Sequence, residues 1–211
     1  MTNRQILCGR TWYWDWAANS HIIFNPDGTG ELTCASGGTV FMAVEFNWAP
    51  RSAIDMPTTT GFFSADDPIT LGKCKIGIVL SKRPVVNSGY FAVGDNTWSD
   101  GLLFDNAFKE RQFTITFAQG SFVSGGDIKW KKVKDLWDAP RFRYKMIVDP
   151  SPYPARKDWV DPSSVEALGF WNWNLFCAEK DVLFVSKKEK EKEKKKSFGA
   201  KLRVFLKKMK F

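Results

Sequence analysis

Two carboxylates stand among aromatic side chains. Asp15 lies between Trp14 and Trp16, and Glu45 lies between Val44 and Phe46. Enclosed in apolar surroundings, such a carboxyl has its charged form disfavoured and its pKa raised, which suits it to general acid or base work. In extended chain Tyr13 shares a face with Asp15, and Asn47 shares one with Glu45, opposite Val44, Phe46 and Trp48. Asn172 and Asn174 interleave with Trp171 and Trp173. Polar groups converging in an apolar pocket are how small-molecule sites set orientation and specificity. The candidate site is therefore Asp15 and Glu45 as acid–base groups. Tyr13, Trp14, Trp16, Asn47, Trp48, Trp171, Asn172, Trp173 and Asn174 are its candidate ligand contacts. A second reading stays open: the aromatic residues are plain core, and the polar ones face solvent as alternate residues do on an open sheet.

Other chemistry finds little support. His21 is the only histidine, and zinc sites draw on several His or Cys ligands. Cys8, Cys34, Cys74 and Cys177 are too far apart in sequence to form a zinc or redox pair. No Gly-x-Ser-x-Gly elbow, phosphate loop or dinucleotide fingerprint is present, so neither a cofactor nor a metal is expected. Gly125-Gly126 reads as an ordinary turn.

The elements that must position these residues are short strands. Residues 11–17 alternate, with Trp12, Trp14 and Trp16 on one face. Residues 21–24 form a second strand, and Asn25-Pro26-Asp27-Gly28 is a strong turn. Strands at 30–35 and 39–48 follow, then a long loop over 49–73. Further strands are expected at 74–81, 90–93, 112–118, 121–124, 127–133 and 141–148. Pro150, Pro152, Pro154 and Pro162 keep 149–162 irregular. Ser163-Ser164-Val165-Glu166 fits a capping box for a short helix ending near Gly169. Residues 170–177 read as an aromatic strand, and 182–185 as the last. Short segments spaced by turn residues predict a mostly β chain with an up-and-down antiparallel sheet.

Ten Trp and eighteen Phe in 211 residues supply the large apolar surfaces such a sheet needs. The net charge of +8 is unevenly placed: residues 187–211 carry eleven Lys and one Arg against three Glu, leaving the first 186 residues near neutral. That split predicts a domain over 1–186 and a separate basic tail over 187–211. It argues against nucleic-acid binding by the body, which would need its own basic face. Phe198, Leu202, Phe205, Leu206 and Met209 fall at helical spacing among lysines. The tail therefore has an acidic membrane surface as one candidate partner, with nucleic acid, an inert solvated tail and a lid on the body as the others. No segment reads as a signal peptide or membrane helix, so a cytoplasmic location with reduced thiols is expected; two disulfides in an exported protein is the other reading.

Gly9-Arg10-Thr11-Trp12 opens the first strand. Ile23-Phe24-Asn25-Pro26-Asp27-Gly28-Thr29-Gly30 forms a hairpin, and Phe46-Asn47-Trp48 closes a later strand. With these the first fifty residues resemble the lipocalin-like (calycin) superfamily. The resemblance implies an antiparallel barrel of about eight to ten strands, closed at one end around the N-terminal Trp, with a ligand cavity inside. Two functions are expected on that scaffold. One is binding of a small apolar or aromatic molecule. The other is a cofactor-free isomerase, cyclase or lyase acting on a hydrophobic substrate through Asp15 or Glu45.

Overall fold

The computed structural model describes residues 3–17, 19–37, 39–55, 68–85 and 101–180. Its strands are β1 (Thr11–Tyr13), β2 (His21–Phe24), β3 (Thr29–Ser36), β4 (Thr39–Pro50), β5 (Ile69–Pro84), β6 (Arg111–Phe122), β7 (Phe142–Asp149) and β8 (Leu175–Lys180). Each pairs antiparallel with its sequence neighbours, and β8 returns to β1, so the sheet closes into a ring. Among the described residues two short α-helices accompany it, α1 (Asn3–Leu7) and α2 (Gly125–Trp130). Up-and-down order follows from turn residues between alternating segments, and closure leaves no long unpaired edge.

Among the described residues the inward face is apolar and closely packed. Trp12, Ile22, Val44, Ile76, Ile115, Phe117, Met146 and Phe176 each expose 0 % of their surface. Zero exposure leaves no water-sized gap beside these residues, so the ring is occupied by its own side chains at their level. At the α1 end the Trp12 indole donates to the Leu7 carbonyl at 3.0 Å. The Arg10 guanidinium stands 4.3 Å from the Tyr144 ring and 5.8 Å from that of Trp12, and pairs with Glu179 at 3.6 Å. At the same end Gly28 adopts φ +92°, which Gly supplies without steric cost, and the Trp48 indole donates to the Asn25 carbonyl.

The chain between β7 and β8 folds over the opposite end. Tyr153 is buried there, and its hydroxyl donates to the Thr33 carbonyl at 2.8 Å. Arg111 donates to the carbonyls of Ser151 and Tyr153. Burial lowers the Arg111 pKa, and the nearby Asp158 charge opposes that shift. Asp158 in turn caps its own turn by accepting from the Ala155 N–H.

Several elements depart from the pattern read in the sequence. The strand expected over 11–17 stops at Tyr13, because the Asp15 carboxylate accepts from the N–H groups of Asn19 and Ser20 and bends the chain back. The strand expected over 127–133 is instead α2, started by Ser124, whose hydroxyl accepts from the Asp127 N–H. No helix spans 163–169. Glu166 pairs with Arg156 at 2.7 Å rather than capping, and a single 3-10 turn, Pro162–Ser164, stands there, with left-handed Gly169 after it. Another 3-10 turn, Phe170–Asn172, replaces the start of the expected aromatic strand, so β8 begins only at Leu175. The strands expected at 90–93 and 182–185, and the whole basic tail, lie outside the described residues. Among the described residues no helix is long and apolar enough to cross a membrane.

Candidate functional site

The ring closes between β1 and β8 on a single register pair, Tyr13 with Cys177. Beyond Tyr13 the backbone of β1 is taken up elsewhere: the Trp14 N–H donates to the Ser20 carbonyl, and the Trp14 carbonyl accepts from Gly126 at 2.7 Å. Thus α2 lies across the seam. It can do so only because Gly125 and Gly126 carry no side chain. A Cβ on Gly125 would stand 2.7 Å from the Leu175 carbonyl oxygen and 2.8 Å from Trp14 Nε1; one on Gly126 would stand 2.9 Å from Asp15 Cβ.

Trp14 and Trp173 meet at this seam, stacked with centroids 3.3 Å apart and planes within 4°. Phe170 packs edge-on against Trp173 at 4.5 Å, and Tyr153 at 5.9 Å. The Trp173 indole N–H donates to the Leu168 carbonyl at 3.1 Å, so the ring is fixed in plane and rotation. Lys129, from α2, donates to the same carbonyl and holds its ammonium 5.6 Å from the Trp173 ring. Partial burial lowers the Lys129 pKa.

A pocket of about 340 Å³ opens against this stack, lined by Trp14, Lys129, Asn172, Trp173 and Asn174, with Ile128 and Leu175 adding apolar wall. The backbones of Asn172 and Asn174 are bonded, to Gly169 and Val148 respectively. Their side-chain amides make no hydrogen bond to other described residues. Each amide therefore brings donor and acceptor capacity to the pocket mouth. A smaller pocket, of about 250 Å³, lies on the other side of Trp14, lined by Asp15, Trp16, Asp127, Trp130 and Lys131. Both carboxylates there are engaged. Asp15 holds two backbone N–H groups, and Asp127 accepts from the Ser124 hydroxyl and pairs with Lys131 at 2.6 Å.

The residues picked out in the sequence thus divide. Trp14, Asn172, Trp173 and Asn174 converge on one pocket, and Asp15 and Trp16 line the next, where Trp16 is 49 % exposed. Tyr13 turns outward, half-buried and edge-on to His21 at 6.3 Å. Glu45 also faces outward, opposite Glu31 across the strand pair and bonded to Arg83 at 3.1 Å. Burial and the Glu45 charge together raise the pKa of Glu31. Asn47 is exposed on the same outer face, Trp48 packs inward at the α1 end, and Trp171 is half-buried against the core. Neither of these two pockets is lined by Glu45.

Gly125, Ile128 and Lys129 were not anticipated. Ser124-x-x-Asp127 was the available signal, since a Ser followed three residues later by an acid marks a helix start. Among the described residues no group of three His, Cys, Asp or Glu is placed to hold a metal ion. Compared with known proteins, the chain matches no family model, no curated protein and no solved structure.

Proposed function

We propose that this chain binds a small apolar or aromatic molecule, seated at the Trp14–Trp173 pocket beside the ring seam, on a lipocalin-like scaffold. One observation carries the reading. A rigid indole stack, two side-chain amides with unused hydrogen-bonding capacity and one lysine ammonium border the same concave space of about 340 Å³. That size and mixture match small-molecule sites, in which apolar walls give affinity and a few polar groups give orientation. An indole stack offers a large contact area with little conformational entropy to lose on binding. The scaffold reading draws support from Trp12, packed inward at the end closed by α1, and from the strand order around the ring.

The preferred ligand is a flat molecule with an oxygen at its edge. The ring lies along the tryptophans, and the oxygen meets the Asn174 or Asn172 amide or the Lys129 ammonium. Titration with 1-naphthol and with naphthalene, read by tryptophan fluorescence, tests this. Asn174→Leu is expected to weaken 1-naphthol about five- to tenfold, the value of one hydrogen bond, and to leave naphthalene unchanged. Equal loss for both ligands, or for neither, contradicts the role given to the amide.

A further inference from the structure

The smaller pocket, of about 250 Å³, shares only Trp14 with the tryptophan pocket on the other side of that ring. Two of its walls are indoles that the fold leaves open. Trp16, in the bend after β1, is 49 % exposed, and Trp130, the last residue of α2, is 56 % exposed. By contrast Trp12, Trp14, Trp48, Trp159 and Trp173 expose at most 5 %. The exposed tryptophans among the described residues thus come from two different elements and line one pocket. Lys180 stands 5.6 Å from the Trp16 ring and Lys129 4.7 Å from the Trp130 ring, and neither lysine lines the pocket. Polar groups share the lining with the indoles. Asp15 accepts from the N–H groups of Asn19 and Ser20, which uses about half of its lone-pair sites. Lys131 gives one of its ammonium protons to Asp127 at 2.6 Å and keeps the others. The Ser36 hydroxyl makes no hydrogen bond to another described residue.

The charges here nearly balance. Asp15 and Asp127 stand against Lys131 in the lining and against Lys129 and Lys180 on the indoles. A ligand of either sign meets its own sign in the site. A purely apolar ligand would cover Asp15 and Lys131 without bonding them, at the cost of their hydration. What suits open indole faces edged by an acceptor, a donor and a hydroxyl is a neutral molecule with C–H groups on its face and hydroxyls round its rim. We propose that this pocket binds a neutral hexopyranose unit, its C–H face on Trp16 or Trp130 and its hydroxyls on Asp15, Lys131 and Ser36. The negative face of an indole attracts the weakly positive C–H hydrogens, and hydrogen bonds to a carboxylate or an ammonium are stronger than those between neutral groups. The volume falls below the roughly 300 Å³ at which drug-sized sites begin, so the pocket holds one ring. The site is independent of the ligand assigned to the Trp14–Trp173 pocket and stands or falls without it.

NMR titration of the full chain with methyl β-glucopyranoside and, separately, methyl β-galactopyranoside tests the assignment. At least one glycoside is expected to shift the Trp16 and Trp130 indole resonances saturably, with a dissociation constant on the order of 1 mM. Choline, an organic cation, and cyclohexanol, a ring without the rim of hydroxyls, are each expected to bind at least about fivefold more weakly. Trp16→Ala and Trp130→Ala, each read on the indole that remains, are expected to weaken the glycoside at least about fivefold, and Trp16→Phe, which keeps an aromatic face, by less. Ser36→Ala is expected to weaken it about two- to threefold. Asn174→Leu is expected to leave glycoside binding intact, and Trp16→Ala to leave 1-naphthol binding intact, so failure here is distinguishable from failure at the Trp14–Trp173 pocket. Circular dichroism shows whether each variant folds. Because both indoles are exposed, at least Trp16→Phe and Trp130→Ala are expected to do so. No saturable shift with either glycoside, choline or cyclohexanol binding as tightly as the better glycoside, or unchanged glycoside affinity in the Trp16 and Trp130 variants overturns the proposal.

Discussion

Trp173 is held by four contacts: Trp14 on its face, Phe170 and Tyr153 packed edge-on, and the Leu168 carbonyl on its N–H. Truncation to Ala leaves a cavity and removes one of the two donors to the Leu168 carbonyl. Trp173→Ala is therefore expected to cost about 3–5 kcal/mol in urea denaturation, and Trp173→Phe distinctly less, because a ring still fills the space. At this scale the sequence was informative where side chains lie near the ring seam and silent where they do not. Trp14, Asn172, Trp173 and Asn174 were all named from alternation and meet in one pocket. Glu45 and Asn47 were named by the same argument and face outward on β4. Alternation assigns residues to opposite faces of a strand, but it does not say which face the ring encloses. Asp15, read as a candidate acid–base group, ties the bend after β1 together by accepting two backbone N–H groups.

The element that most shapes the site is α2, and its placement depends on close approach. Gly125→Ala would put a methyl group 2.7 Å from the Leu175 carbonyl oxygen. The substitution is expected to destabilise the protein by about 1–3 kcal/mol through overpacking. Gly101→Ala serves as control, since a Cβ there meets nothing within 4 Å, and is expected to be nearly neutral. Equal melting temperatures for the two variants would contradict the packing of α2 on Trp14. Most strands were legible, because turn residues such as Asn25-Pro26-Asp27-Gly28 punctuate alternating runs, and β2, β3, β4 and β7 fall within a few residues of their expected bounds. The pieces around the site were not. In 125–130 Ile128 and Trp130 alternate as in a strand, yet both are half-exposed, at 50 % and 56 %, on a helix of one and a half turns. The local Ser124 cap overrides the alternation. Likewise the Arg156–Glu166 ion pair, which joins residues ten apart, removes the acid that a capping box at Ser163 required.

Across the whole molecule, three thiols are buried, Cys34 and Cys74 in the main core and Cys177 in a second cluster with Ala118, Phe122 and Phe142. Burial pushes Cys177 up to about 12 and Cys74 to about 11, and raises Cys34 well above the ordinary value. In the unfolded chain these thiols ionise near pH 8.5, at roughly the ordinary cysteine value, so the unfolded state loses protons first. Their contribution to stability is therefore fully present below about pH 8.5 and is lost as pH climbs toward 11–12. Lys129, whose pKa burial lowers, works in the opposite direction. Melting temperatures taken from pH 8 to 11 are expected to fall less steeply for Cys177→Ala than for the unaltered chain. Parallel curves would contradict the burial of that thiol. The closed ring was foreseen from the order of short strands and turns. The close packing of the fully buried side chains inside it was not, because periodicity gives the side of a strand but not the volume left at the centre.

The central claim is that a small aromatic ligand sits against Trp14 and Trp173 rather than elsewhere in a chain with ten tryptophans. The most direct test is a heteronuclear NMR titration of the indole N–H resonances with 1-naphthol, each peak assigned by single Trp→Phe variants. The account predicts saturable shifts of the Trp14 and Trp173 resonances with one common dissociation constant, while Trp12 and Trp48, bonded at the other end of the ring, stay in place. Saturable shifts of Trp12 and Trp48 with Trp14 and Trp173 unmoved, or uniform unsaturable drift of all resonances, would contradict it.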